Sequence, residues 1–232
     1  MQVIAFASQK GGAGKTTLAG HIAVEAERVG RGPVALLDAD PQGSLADWWN
    51  ERTAETPVFV RTSIDRLRAD IDELRTMGFE LLVIDTPPAI TATIATVIGL
   101  SDLVVTPTRP SPHDLRSVVR TVELAERLNK PQIFVVNGAS AHARITIDMA
   151  IALSQHGTLA PSIIHQRADF ASSMIDGRTV MEVPRKSPSA GEIRRLWSYI
   201  DERLQRLQRR PMAAPVNVYA CDDAPVPQER AS

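Results

Sequence analysis

Lys10-Gly11-Gly12-Ala13-Gly14-Lys15-Thr16-Thr17 decides how this chain is read. Three glycines within four positions leave little side chain over the backbone, so its N–H groups can close around oxygen atoms. The apolar run Val3 to Ala7 leads into this stretch as a buried strand, and Thr16 to Val29 leaves it as a helix with Leu18, Ile22, Ala26 and Val29 on one face. A strand, a glycine turn and a helix whose N-terminal dipole faces an anion make a phosphate loop. Gly11, Gly12, Ala13 and Gly14 form the cradle. Lys15 is placed to reach the β- and γ-phosphates, the Thr16 hydroxyl to ligate Mg²⁺, and Thr17 to bond an α-phosphate oxygen. The alternative is a glycine turn with incidental lysines. Average composition puts such a pattern at roughly one in 10⁴ to 10⁵ for a chain of this length, which disfavours it. The expectation is a chain that binds ATP and Mg²⁺ and turns the ATP over slowly.

Outward from the loop, strands and helices alternate. Val34 to Leu37 is a second buried strand, closed by Asp38-Ala39-Asp40-Pro41. Asp65 to Met77 carries Leu67, Ile71 and Leu74 at helical spacing. Leu81 to Ile84 is a third strand, ending at Asp85 and two prolines. Leu103 to Thr106 is a fourth, followed by the proline-rich loop Pro107-Thr108-Arg109-Pro110-Ser111-Pro112. His113 to Leu128 reads as helix and Ile133 to Val136 as a fifth strand; a helix, a short strand near Ile163-Ile164 and a further helix follow. The clearest helix runs from Ala190 to about Gln208, with Ile193, Leu196, Trp197, Ile200, Leu204 and Leu207 as its apolar stripe. This alternation predicts an α/β fold with a mainly parallel sheet, covered by helices on both faces, in one domain over residues 1–210. The segment 211–232 holds Pro211, Pro215, Pro225 and Pro227 without periodicity and is expected to be a disordered tail.

Composition narrows the function. The 232 residues carry 26 Lys+Arg against 27 Asp+Glu, so any nucleic-acid site must be a local patch. Cys221 is the single cysteine, and no Cys/His cluster suggests zinc. The five His are scattered and read as ordinary surface or core residues. No apolar run approaches the ~20 residues that span a bilayer. Met1-Gln2-Val3-Ile4 enters a strand at once, without a basic leader, which predicts a cytoplasmic protein. Asp85 ends an apolar strand as a Walker B acid does and would bind Mg²⁺ through water, although strand-ending aspartates are common. Asp38 and Asp40 are either a catalytic pair or a strand-end turn.

The loop departs from the ordinary Walker A pattern: Gln9 stands where a glycine is usual, and Lys10 is an extra lysine. With Asp38-Ala39-Asp40-Pro41-Gln42-Gly43-Ser44-Leu45-Ala46-Asp47-Trp48, this deviant form resembles the ParA/MinD family of partitioning and positioning ATPases. It is most similar to the small ParF-like branch, which lacks an N-terminal helix-turn-helix domain. The resemblance runs from Met1 to about Leu207. It takes in Val83-Ile84-Asp85, Ser101-Asp102-Leu103-Val104-Val105 leading to Pro110-Ser111-Pro112, Gln166-Arg167, and Met174-Ile175-Asp176-Gly177.

The resemblance implies a P-loop NTPase fold and an ATP-sandwich homodimer. Lys10 would reach across to the partner's phosphates, in the manner of an arginine finger. Asp40 would position the attacking water, with Asp38 beside it and the metal shell. Asn137 would read the adenine edge, with Pro184 a weaker candidate for packing on the base. Nonspecific DNA would be held by Arg167, with Arg178, Arg195 and the neighbouring Arg185, Lys186 and Arg194, and with Arg203, Arg206, Arg209 and Arg210 further along the last helix. Arg167, far along the chain from the loop, is expected to leave ATP binding alone. Hydrolysis would be stimulated by a small cargo-adaptor or centromere-binding protein, and the protein would sit on the nucleoid.

Three other readings compete. A carboxylate-activating enzyme such as a dethiobiotin synthetase is disfavoured by Lys10 and the Asp-Pro-Gln element. A nitrogenase-iron-protein type lacks its cluster cysteines. A MinD-like membrane helix is disfavoured because the last apolar stripe fits packing on the sheet, followed as it is by a polar, proline-containing tail.

Overall fold

Gln2–Phe6 (β1) shows why the sheet is buried on both sides. Successive side chains of a strand point to opposite faces. Ile4 and Phe6 join one core and Val3 and Ala5 another, all fully buried. The computed structural model describes residues 1–88, 92–141, 144–183 and 187–209. In it β1 pairs in parallel with Leu81–Asp85 (β4) on one side and Leu103–Thr108 (β5) on the other. Val34–Asp38 (β2) lies beyond β4, and the short Val58–Val60 (β3) lies beyond β2. Gln132–Ala139 (β6) flanks β5 and pairs with both Thr158–Leu159 (β7) and Ile164–His165 (β8). The order is β3-β2-β4-β1-β5-β6-β7, and every pairing is parallel.

Eight helices cover the two faces among the described residues. Lys15–Arg28 (α1), Ser44–Asn50 (α2), Ala168–Met174 (α7) and Pro188–Arg209 (α8) pack on the Ile4/Phe6 side. Leu67–Thr76 (α3), Ala92–Leu100 (α4), Pro112–Arg127 (α5) and Arg144–His156 (α6) cover the other. The expected α8 stripe is real: Ile193, Leu196, Trp197, Ile200 and Leu204 are buried against the sheet. The parallel register aligns strand ends, with Asp38 opposite Asp85 and Phe6 opposite Asp85. Ligands of open α/β sheets bind in the crevice at these carboxyl ends, and the glycine loop lies there.

The structure differs from the sequence expectation in identifiable places. Pro107 and Thr108 continue β5 rather than opening a loop. β1 stops pairing at Val105, and the Pro107 nitrogen faces that side, so its missing N–H interrupts no ladder. The spacing did not predict α2, β3, α4 or β7. Three of these are short, and α4, Ala-Thr-Ile-Ala-Thr-Val-Ile-Gly-Leu, lacks the charged face that marks helical period. Pro184, Arg185, Lys186, Arg210 and the segment 211–232 lie outside the described residues.

Candidate functional site

The helix that carries Lys15 begins on a glycine for a steric reason. Gly14 caps α1 in the left-handed region (φ 94°), and a Cβ there would lie 2.1 Å from Asn137 Nδ2. Asn137 uses that amide to bond the Ala13 carbonyl at 2.7 Å, pinning the loop to the end of β6. Among the described residues its side-chain carbonyl oxygen meets no donor. Among the described residues, no backbone bond takes the N–H of Gly11, Gly12, Ala13 or Gly14, so these donors are free to meet an anion.

Behind the loop the charges converge. Lys15 is buried; burial pulls its pKa down, and the charges of Asp85 and Asp40 pull it back up. The Thr16 hydroxyl donates to Asp85 Oδ2 at 2.5 Å. Asp85, 1% exposed, is pushed up to about 7 by burial, with the Asp38 charge adding; the Thr16 bond, Lys15 and the Thr86 N–H oppose the shift. A hard divalent ion such as Mg²⁺ takes oxygen ligands, usually one or two carboxylates plus substrate phosphates and water. The Thr16 hydroxyl and Asp85 carboxylate fit that donor set, because they already meet beside the loop.

Asp38 does structural work that the catalytic assignment did not foresee. Its Oδ1 accepts the Asp40 N–H at 2.9 Å, and its Oδ2 accepts those of Leu45 and Ala46 at 2.9 and 3.1 Å. It thereby caps α2 and fixes the turn from which Asp40 projects. Asp40 in turn accepts the Gln42 N–H at 3.0 Å. Burial raises the Asp38 pKa, and these backbone donors hold it down. The strand-end turn is therefore present, and Asp40 projects from it.

Lys10 extends from the other side of the loop and bonds Asp114 Oδ2 at 2.8 Å. Asp114 is buried in the first turn of α5, where Ser111, the N-cap, also bonds it. Nothing in the sequence pattern singles out Asp114. Ser111-Pro112 does signal a helix start, with a capping serine and proline at the first turn, but nothing local points from there to Lys10. Arg109 likewise carries no pattern of its own; along the chain it is one residue of a proline-rich loop.

A cavity of about 130 Å³ adjoins the loop, lined by Gly14, Thr17, Arg109, Asn137, Arg167 and Phe170 among others. It lies on the side where Asn137 was expected to meet a base. A larger groove of about 730 Å³, between β3 and α3, shares none of these residues. Arg167 therefore lies beside the loop in space, although it is far from it along the chain. It is also not a free cation: it bonds Glu192 at 2.6 Å, and the same buried carboxylate holds His165. Arg178 is fastened to Asp176 at 2.6 Å. Arg194 and Arg195 are exposed on α8. Among the described residues no helix is long and apolar enough to cross a membrane.

The family model described as VirC1 protein matches residues 1–198. The chain belongs to the VirC1 family. This VirC1-family chain is 29% identical over 198 residues to the maintenance of carboxysome distribution protein A of Halothiobacillus neapolitanus, covering 82% of this chain and 91% of that protein. It is 41% identical over 127 residues to the protein of the same description from Gloeobacter kilaueensis, covering 53% and 56%. Its fold matches that of the septum site-determining protein MinD of Pyrococcus horikoshii, solved with Mg-ADP, at a TM-score of 0.71. That match covers 89% of this chain and 98% of the other, at 14% identity, and speaks for the fold. The ParA/MinD resemblance carried by the loop and the Asp-Pro-Gln element holds.

Proposed function

We propose that this chain is a nucleotide-switched positioning ATPase. ATP held on the loop joins two chains face to face, and the pair holds DNA without reading its sequence. Hydrolysis, stimulated by a small adaptor or centromere-binding protein on the cargo, then releases it. The observation that carries the reading is the meeting of Thr16 and Asp85 at 2.5 Å beside buried Lys15. In P-loop NTPases those three groups divide the work of holding Mg²⁺ and the phosphates. When bound, Mg²⁺ neutralises charge on the β- and γ-phosphates. Lys15 supports them from within the chain, Thr17 bonds the α-phosphate, and Asn137 offers its free carbonyl oxygen to the base.

Asp40, presented by the Asp38-capped turn, orients the attacking water. Lys10 gives up Asp114, or shares it, to contact the partner's phosphates; an ammonium has three donors and its bond to Asp114 uses one. Arg195 and Arg178 supply cations for DNA phosphates, and Arg167 offers the guanidinium N–H groups that its bond to Glu192 leaves over; such contacts would keep the protein on the nucleoid. The cargo is a plasmid, a chromosome region or a protein body. The carboxysome-distribution relatives support a protein body.

Two variants test the division of labour. Lys15→Ala should lose nucleotide binding. Lys10→Ala should still bind ATP but lose ATP-driven pairing and stimulated turnover. Calorimetric titration measures the first, and sedimentation with a phosphate-release assay the second. A Lys10→Ala chain that pairs and turns over like wild type would refute the contact across the interface.

A further inference from the structure

Arg109 belongs to none of the roles above. It follows β5 directly, two residues before the Ser111 cap of α5. Its side chain is exposed, and among the described residues it makes no ion pair. What lies under it is specific. A Cβ built on Gly138 would sit 3.6 Å from Arg109 Cγ and Nε, and one built on Gly12 would sit 3.9 Å from Nη1. The stem therefore runs along Gly138, and the guanidinium ends over Gly12, the second glycine of the loop. Both positions are bare backbone, which gives an arginine room to lie flat. The same side chain lines the small cavity with Gly14, Thr17 and Asn137.

We infer that Arg109 is a second cation for the nucleotide's phosphates, acting within its own chain from the solvent side of the loop, opposite buried Lys15. The inference rests on reading the loop as a nucleotide site. A guanidinium suits that place. It stays charged at any working pH, and its planar fork donates two parallel bonds to phosphate oxygens, where a lysine offers a point charge. The ligand chemistry is the polyphosphate common to ATP and ADP rather than the base.

Because ADP should not join two chains, Mg-ADP titration isolates the site within one chain. Wild type, Arg109→Ala, Arg109→Lys and Lys15→Ala are compared by calorimetry, with the melting temperature of each nucleotide-free chain as the control for folding. Arg109 is exposed and unpaired, so its variants should melt with wild type. Arg109→Ala should bind ADP about tenfold more weakly or worse, the loss of one charge-assisted contact, and Arg109→Lys should recover part of it. Wild-type ADP affinity in Arg109→Ala would overturn the inference, and so would a defect confined to ATP-driven pairing, which would mean action across the interface. If Lys15→Ala fails to bind while Arg109→Ala binds normally, the loop reading stands and this inference alone falls. If wild type takes up neither ADP nor ATP, both fall.

Discussion

One atom decides whether the loop closes correctly: the Cβ that Gly14 lacks. An L residue at φ 94° is strained by about 1–2 kcal/mol, and the added methyl would overlap Asn137 Nδ2 at 2.1 Å. Gly14→Ala must therefore both strain the cap of α1 and push Asn137 off the Ala13 carbonyl. The two costs separate by a double-mutant cycle. Gly14→Ala alone should destabilise the nucleotide-free chain by about 2–4 kcal/mol. Adding Asn137→Ala removes the clash, so the double variant should be more stable than the sum of the two singles predicts. Urea denaturation of the four proteins measures this, and strict additivity would show that the contact does not constrain the loop. The glycine pattern marks Gly14 as a cradle residue, and the family resemblance implies a base contact for Asn137. The sequence alone had no means of bringing together two residues 123 positions apart, because pattern and spacing report neighbours along an element, not across the sheet.

At the scale of elements, α1 is coupled to the chain before α8 through His21. Its Nδ1–H donates to the Thr17 carbonyl at 2.7 Å, its Nε2 accepts the Val180 N–H at 3.3 Å, and its ring meets Phe170 edge-on at 5.2 Å. Burial lowers its pKa to about 4 from the usual 6.5, against the Thr17 bond, which raises it. Since the folded pKa lies below the unfolded one, the unfolded chain binds the extra proton between the two values. The contribution of neutral His21 is intact above pH 6.5 and is lost as pH falls toward 4, at most about 3 kcal/mol. His21→Gln should flatten this part of the pH–stability curve, with the two proteins differing most in slope between pH 6.5 and 4. Parallel curves for the two proteins would mean that His21 is not held neutral.

Helices α1 and α8 were legible because their apolar residues recur at helical spacing beside charged ones. α2 was not, since its seven residues hold together through distant partners. Trp48 donates to the Arg178 carbonyl at 3.2 Å, and Arg52, just past the helix, is sandwiched between the Trp48 ring and Glu182. A chain with Arg52→Ala leaves half-buried Glu182 without its buried partner and should lose about 2–4 kcal/mol in thermal or urea unfolding. Arg52→Met with Glu182→Gln should cost less than Arg52→Ala alone; an equal or greater cost would place the stabilisation in the Trp48 stack rather than the ion pair.

Across the whole molecule, the parallel sheet brings the candidate nucleotide groups among the described residues to the carboxyl ends of β1, β2, β4, β5 and β6, while the cations proposed for DNA divide into two kinds. Arg195 is exposed on α8, whereas Arg167 is tied to buried Glu192 and borders the loop cavity. The two should therefore respond differently to the same substitution. Nonspecific contacts release counterions, so affinity should fall linearly on a log–log plot against salt, by about 0.9 in slope for each phosphate neutralised. In an ATP-joined pair Arg195→Ala removes one charge from each chain. It should lower that slope by up to about 2, weaken all duplexes alike, and leave the melting temperature and ADP affinity at wild-type values. Arg167→Ala should weaken DNA binding too, but it strands Glu192 inside the protein and alters the cavity wall, so stability and nucleotide affinity should shift with it. Fluorescence anisotropy with two unrelated duplexes, in ADP and in a slowly hydrolysed ATP analogue, gives the slopes, and melting curves give the stability. Binding that ignores the nucleotide, or a salt slope unchanged by Arg195→Ala, would move the DNA surface off this face of α8.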